Sequence, residues 1–545
     1  MPVECYPIAT LPGTTPLFRD YAELSAPAPI RRWFPHDPFS MAWANQSPTL
    51  DEAHRQTLAD ILHRQAETFG AGKAALANIE KLRNGAAAVV TGQQVALFGG
   101  PLLTLLKAAT AIRKAQDATA ASGREHVPIF WLASEDHDLA EVDQVALLTK
   151  TEVETLTLGL KLDRPLPVGG ITVDGRTEAG RATLEAVLDR ASELLAWAPV
   201  TELLRECYTP SATLATAFGK LLTKLFADHG LIVMDAASRD FHALGAPALR
   251  SAIENAAELE TALIARSEEL VNAGYHAQVL VAKGNSLLFL TDEASGARAP
   301  LRRIDDGTWR AGTRSYSADE LLHILETQPE RLSPNALLRP VFQDAILPTA
   351  AYIAGPAEVA YFAQSAVVYE KILGRVTPVL PRLSATLIEP AIAQTMAAHE
   401  VSVEQIFEAK TIDALALRLA ARAMPIEAKR RIAAVGNAMD AELSALTDYM
   451  TAMSADLGRA AGVSASKMRY QMDRLRRMSA QFELQKEASL KKHATAIMLS
   501  TFPDGHLQER LLAGVWFVAR YGDSLASLLV EHAGQECPGH RVISL

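Results

Sequence analysis

The stretch SEDHDLAEVD, residues 134–143, holds a dense cluster of groups that bind cations or move protons. Glu135, Asp136 and His137 follow directly on an apolar run at residues 127–132. At the carboxyl end of a sheet strand, where open α/β sheets hold their ligands, these three can hold an amine or sugar hydroxyls. They can also accept the proton that an amine loses on becoming a nucleophile. Asp138 with Glu141 matches a capping box, which explains that pair but not the three residues before it. His137 and Glu141 lie four apart on one helical face, as metal ligands can, but two ligands are a weak signal and no metal is expected.

Two further segments repeat the plan. In AVVTGQQVALFGGPLLTLLK, residues 88–107, an apolar run stops at Thr91, Gly92, Gln93 and Gln94. A helical pattern then starts behind Gly99, Gly100 and Pro101, with Thr104 and Lys107 about one turn in. A helix opening there offers free amides and the positive end of its dipole to a carboxylate or phosphate. The competing reading is glycine punctuation of a tight turn. The glycine spacing fits neither G-x-G-x-x-G nor G-x-x-x-x-G-K-[ST], so the segment is not a standard nucleotide cradle. Further on, AGPAEVAYF sets Gly355, Glu358 and Tyr361 behind another apolar run, with Arg339, Gln343 and Asp344 upstream and Arg382 downstream in VLPRLS. Arginines beside a crevice bind carboxylates bidentately, although a structural salt bridge is the commoner fate of a single arginine.

These groups need a parallel sheet to bring them together. Strand patterns at residues 86–90, 127–132, 231–234 and 350–353 alternate with helical patterns at 50–82, 102–114 and 211–228, which is the rhythm of an α/β core. Residues 275–316 change character: VLVAKG, NSLLFLTD, APLRRIDDG and TWRAGTRSY read as short antiparallel strands inserted into that core. The expected organisation is a core over residues 1–384 with insertions near 145–205 and 255–335, a helical arm over 385–500, and a segment over 501–545 that returns to the core. In the arm, Ile432, Val435, Met439, Leu443, Leu446, Met450, Met453 and Leu457 recur three and four apart, the seam of a coiled coil. Gly462 is read as the break, and Met468, Met472, Leu475, Met478 and Phe482 as a second stripe. The expectation is an antiparallel hairpin that pairs with a second copy.

Composition bounds the function classes. The 545 residues are 49% hydrophobic and 21% charged, ordinary for a globular chain of roughly three domains. With 53 basic and 63 acidic residues the net charge is -10, so no basic field draws nucleic acid. The opening MPVECYPIATLPGTTPLFRDY lacks the order of a signal peptide, and no apolar run is long enough for a bilayer. A cytoplasmic protein without a membrane partner is expected. Cys5, Cys207 and Cys537 have no paired spacing, which predicts buried or incidental thiols rather than a disulfide framework.

The segments AVVTGQQVALFGGPLLTLLKA, VPIFWLASEDHDLAEVDQV, LLRPVFQDAILPTAAYIAGPAEVAYF and PVLPRLSATLIE resemble the corresponding parts of the BshC family, the cysteine-adding enzymes of bacillithiol biosynthesis. The resemblance spans nearly the whole chain. It implies a Rossmann-like core related to class I aminoacyl-tRNA synthetases, connective-peptide insertions, and a coiled coil that makes a homodimer. The implied reaction joins the carboxylate of L-cysteine to the amine of glucosaminyl malate, with ATP or another nucleotide as the candidate activating cosubstrate. On that reading Glu135, Asp136 and His137 serve catalysis, and the two glycine-marked loops, Asp138 and the arginines serve substrate binding. No His-x-Gly-His segment and no Lys-Met-Ser-Lys-Ser loop is present. Trp516, Arg520 and Tyr521 in WFVARYGD offer stacking and cationic groups to a nucleotide, against the plainer reading of a core helix end. The alternatives are another nucleotide-dependent transferase on the same core, or a coiled-coil assembly protein with an inert core.

Overall fold

The computed structural model describes residues 4–23, 27–46, 48–304, 307–535 and 537–545. Its centre is a five-stranded sheet of β1 (Ala87–Gln93), β2 (His126–Leu132), β3 (Ile232–Asp235), β4 (Thr349–Ala354) and β5 (Val379–Pro381). The spatial order is β5-β4-β1-β2-β3, and every pairing is parallel. All seven residues of β2 and all six of β4 are buried, as expected when helices cover both faces of a parallel sheet. This is the parallel α/β core that the alternating patterns predict and the Rossmann-like core that the family resemblance implies.

The strand order reverses between β1 and β4. At such a switch point the connections leave in opposite directions and open a crevice beyond the carboxyl ends of the strands. Three helices frame it: α1 (Leu103–Ser122) after β1, α2 (Arg239–Glu254) after β3, and α3 (Pro356–Leu373) after β4. The short helix Arg339–Ile346 leads into β4.

A second five-stranded sheet is built from Asn285–Thr291, Arg298–Arg303, Trp309–Ala311, Arg314–Tyr316 and Leu332–Pro334, all antiparallel. VLVAKG, expected as one of its strands, is a loop instead. The Gln364 side chain binds both the amide and the carbonyl of Val279, occupying groups a strand neighbour would use. The first strand also runs further than its apolar residues suggest, through Thr91, Gly92 and Gln93. Gly92 allows this, because a Cβ there would stand 2.8 Å from the Trp131 carbonyl oxygen on β2.

The arm is a hairpin of Ile426–Met453 and Ala455–Lys486. Its turn lies at Ser454, in extended conformation, and not at Gly462, which sits inside the second helix. A glycine inside a helix costs only about 1 kcal/mol against alanine, so it need not end one. The close approach is made instead by Gly458, whose added Cβ would fall 2.2 Å from Thr451 Oγ1.

The chain's two ends meet. His540–Ser544 pairs in parallel with Ser384–Ile388 and antiparallel with Glu4–Tyr6. This brings Cys5 and Cys537 together as a disulfide across 532 residues of sequence. The expectation of unpaired thiols is therefore corrected for both: spacing along the chain carries no information when the partners are the two termini of one sheet. Cys207 is buried and free, and burial pushes its thiol up to about 11. Alkylation of the denatured, unreduced protein should tag one cysteine, Cys207, and all three after reduction. Three tags without reduction would remove the bond.

Candidate active site at the switch point

A cavity of about 710 Å³ opens at the carboxyl ends of β1, β2 and β4. It gathers Gly92, Gln93, Gln94 and Lys107 from the first segment, Glu135, Asp136 and His137 from the second, and Arg339, Gly355, Glu358, Tyr361 and Arg382 from the third. Its volume falls within the range of ligand sites. A larger cavity, about 850 Å³, lies behind Pro356, Ala357, Arg382 and Arg510, which the two share. The strand-end polar residues converge on the smaller one.

Lys107 forms its floor. The ammonium donates to the Gly92 carbonyl at 2.7 Å, to Gln93 Oε1 at 2.9 Å and to Glu358 Oε2 at 2.6 Å. Burial lowers the Lys107 pKa and Glu358 opposes the shift. Burial likewise works against the Glu358 charge, but Lys107, the Gly355 amide and the Tyr352 hydroxyl hold its pKa below the usual carboxylate range. The pair thus joins the helix behind β1 to the helix behind β4, across the reversal of strand order.

Arg339 and Arg298 flank this floor. Arg339 donates to Gln343 Oε1 at 3.1 Å and to the Tyr361 hydroxyl at 2.9 Å, with Tyr352 at 3.4 Å. Arg298, from the inserted sheet, donates to Ser333 Oγ at 2.9 Å and to the Pro334 carbonyl at 3.1 Å, and lies 3.7 Å over the Phe289 ring. Among the described residues neither guanidinium has a carboxylate within 4.0 Å. Two largely buried cations with neutral partners face one cavity. Arg382, by contrast, is committed to Glu509 in a buried bidentate pair.

The SEDHD turn forms the rim. Asp136 Oδ2 accepts from Gln94 at 2.8 Å and its Oδ1 accepts the His137 amide at 2.7 Å. His137 Nδ1 lies 3.6 Å from Asp136, and both side chains are almost half exposed. Glu135 faces inward and accepts from His242. The capping box expected of Asp138 and Glu141 does not form: the helix behind it is one turn, Leu139–Val142, and Asp138 makes no side-chain cap.

Other expected residues lie outside this lining. Thr91 donates to the Ile353 carbonyl within the sheet. Gly99 and Gly100 have positive φ, and their amides donate to the Ala96 and Leu97 carbonyls. The Leu102 amide donates to Leu512, and the Gly100 carbonyl accepts from Gly514, so the C-terminal segment covers the start of α1 and no open amide cradle forms there. Thr104 is fully buried beneath that turn. Asp344 accepts from Gln343, Tyr369 and Thr377 in the core. Trp516 donates to the Leu148 carbonyl, Arg520 stacks on it at 4.2 Å, and Tyr521 follows on the same helix. Arg520 also pairs with Glu389 at 3.6 Å, and none of the three lines the cavity.

Sequence reasoning missed Ser134, Asp235, His242 and Arg298. Asp235 ends β3 and accepts from Ser134 Oγ, and His242 lies in the first turn of α2. The third strand end was legible as such and would have pointed to both. Nothing marked Arg298, which reaches the site from an insertion.

The comparisons with known proteins agree with this architecture. Residues 1–383 match the family described as "Bacillithiol biosynthesis BshC, N-terminal Rossmann-like domain". Residues 385–545 match "Bacillithiol biosynthesis BshC, C-terminal coiled-coil domain". The chain belongs to the BshC family. Relatives named "Putative cysteine ligase BshC" include one from Koribacter versatilis, 42% identical over 542 residues and 99% of each chain. Those from Solibacter usitatus and Salinibacter ruber are 36% and 31% identical, over 84% of each chain and over 90% and 89% of the two chains. The BshC core thus carries its polar residues at a Rossmann switch point.

Breaking the floor pair is the sharpest structural test of this site. Lys107→Met leaves Glu358 buried without its cation and should cost about 3–5 kcal/mol of stability. The double variant Lys107→Met/Glu358→Leu should lose less than the single one in denaturant titration. A single variant as stable as wild type would mean the pair is hydrated and not part of the packed floor.

Proposed function

We propose that the chain is a cysteine ligase that forms an amide between the carboxylate of L-cysteine and the amine of glucosaminyl malate, the last step of bacillithiol biosynthesis. The observation that carries this reading is the pair of cationic walls, Arg339 and Arg298, lacking a carboxylate within ion-pair distance. A buried cation strongly favours an anionic partner. Glucosaminyl malate brings two carboxylates, and its sugar hydroxyls suit Gln93, Gln94 and Asn335 on the same lining. Family membership and the names of the relatives support the same chemistry.

The sugar amine attacks only when neutral. The Asp136 and His137 rim, partly open to water, takes its proton, while the new bond forms between the amine nitrogen and the cysteine carbonyl carbon. The leaving group on that carbon departs with the electron pair. Making an amide from a free acid requires activation, for which a nucleoside triphosphate is the candidate. The turn at Gly99 and Gly100 has its amides engaged and does not fit a phosphate, so no residue is assigned to that nucleotide.

The arm is proposed to make a homodimer. Val435, Leu446, Met453, Met468, Leu475 and Phe482 stay exposed on the hairpin, more apolar surface than an isolated arm would be expected to leave in water. The proposed compartment is the cytoplasm. Among the described residues no helix is long and apolar enough to cross a membrane. The Cys5–Cys537 bond, of a kind usually kept reduced in the cytoplasm, bears against that placement, and the alkylation state of the pair in cells tests it.

Cells lacking the chain should accumulate glucosaminyl malate and contain no bacillithiol, read together by thiol and metabolite mass spectrometry; unchanged bacillithiol sinks the assignment. In the same cells Arg339→Gln should restore roughly a tenth of the bacillithiol or less, the scale of a lost charge-assisted contact. For the arm, replacing residues 426–486 by a short Gly/Ser bridge should yield a monomer by light scattering, and a dimer would move the interface elsewhere.

A further inference from the structure

His242 is fully buried at the end of the first turn of α2. Its Nδ1 stands 2.9 Å from the Leu332 carbonyl oxygen and its Nε2 2.8 Å from Glu135 Oε1. A carbonyl only accepts, so Nδ1 must carry a hydrogen. A neutral ring has no second one, and would turn the bare lone pair of Nε2 onto the carboxylate oxygen. The contact is attractive only if a further proton lies between Nε2 and Oε1.

We propose that His242 is a standing imidazolium and a positioning residue: it fixes one oxygen of Glu135, leaves the other to the cavity, and ties the inserted sheet to the strand-end loop. Leu332 belongs to that inserted sheet, as do Ser333 and Pro334, which hold Arg298. One ring therefore sets the insert and the SEDHD turn in register, with an anionic Glu135 and a cationic Arg298 on the same lining. An ionised, oriented carboxylate suits a substrate ammonium, and that part rests on the ligase reading. The charge on His242 does not.

The groups facing the ring are few. Glu135 comes from the loop after β2, and Asp235 from the end of β3, where Ser134 binds it. Arg298 lies in the field of Glu135 and Asp136, and the Phe342 ring packs 5.2 Å away. Burial works against the charge on His242, yet Glu135 outweighs it and the pKa stands above the ordinary histidine value. The stabilisation is thus complete below about 6.5, persists to the raised folded value, and is lost as pH rises through it. The site loosens on the alkaline side.

The test uses full-length protein labelled with 15N histidine. At pH 7.5 one exchange-protected ring should show hydrogens on both nitrogens, and His242→Asn should remove it. In Glu135→Gln the side-chain amide can donate to a bare Nε2, so the same ring should become neutral, with its hydrogen on Nδ1, in a protein still folded by circular dichroism. A neutral ring in the wild type, or an imidazolium that persists in Glu135→Gln, overturns the proposal. Should His242→Asn fail to fold, those two spectra still decide. For positioning, His242→Asn should lower kcat/KM for amide formation roughly ten- to hundredfold; an unchanged value overturns that role. The spectra need no substrate, so failure of the ligase reading would show separately, as a wild type without activity.

Discussion

A buried ammonium must find acceptors, and Lys107 finds its one anionic acceptor because the sheet reverses its strand order beside it. Gly92 and Gln93 end β1, Glu358 opens the helix behind β4, and Lys107 sits one turn inside the helix behind β1. The three partners belong to both halves of the sheet. If β1 and β4 did not neighbour one another, the Glu358 carboxylate would have no cation and Lys107 would lose one of its three acceptors. The crevice common to doubly-wound folds is thereby closed at its base by a salt bridge, and the rest of the site is built on that floor.

The charges above the floor divide into two kinds. Lys107 and Arg382 are each matched by a buried acid, Glu358 and Glu509, with backbone and hydroxyl groups filling the remaining positions. These cations are structural, since an anionic ligand would have to displace a partner already held at hydrogen-bond distance. Arg339 and Arg298 hydrogen-bond only to neutral groups, so an arriving carboxylate adds an ion pair without breaking one. In the proposed reaction these two arginines receive the substrate carboxylates, and one of them comes from outside the Rossmann core.

Much of this was legible in the sequence because parallel strands and their exits have strong local signatures. A continuous apolar run ending in a polar burst marks a buried strand and its crevice end, so the strand-end residues at 92–94, 135–137, 355 and 358 were found together. Contacts set by distant segments were not legible. Cys5 and Cys537 have no spacing signal because the two termini share one sheet, and Arg298 sits on an exposed-looking strand whose guanidinium turns inward over Phe289. Boundaries inside one hydrophobic pattern also went astray. The arm turns at Ser454, not Gly462, because the helical stripe continues through both and only tertiary packing picks the break.

The opening loop shows why a motif must be read with its surroundings. Gly99, Gly100 and the start of α1 have the local form of an anion cradle, and a helix N-terminus does favour negative charge. Here the residues that could claim those amides arrive from the other end of the chain: Leu512 accepts from Leu102, and Gly514 packs against Leu105 so closely that an added Cβ would meet it at 2.8 Å. The C-terminal segment thus takes the place a phosphate would have had. The polar groups that face the cavity are instead side chains from the ends of β1, β2 and β4 and from the inserted sheet. That arrangement ties the site to the docking of the insert and of the tail: Arg298 reaches the cavity from the inserted sheet, Arg510 lines it from the C-terminal segment, and Leu512 and Gly514 close the turn beside it.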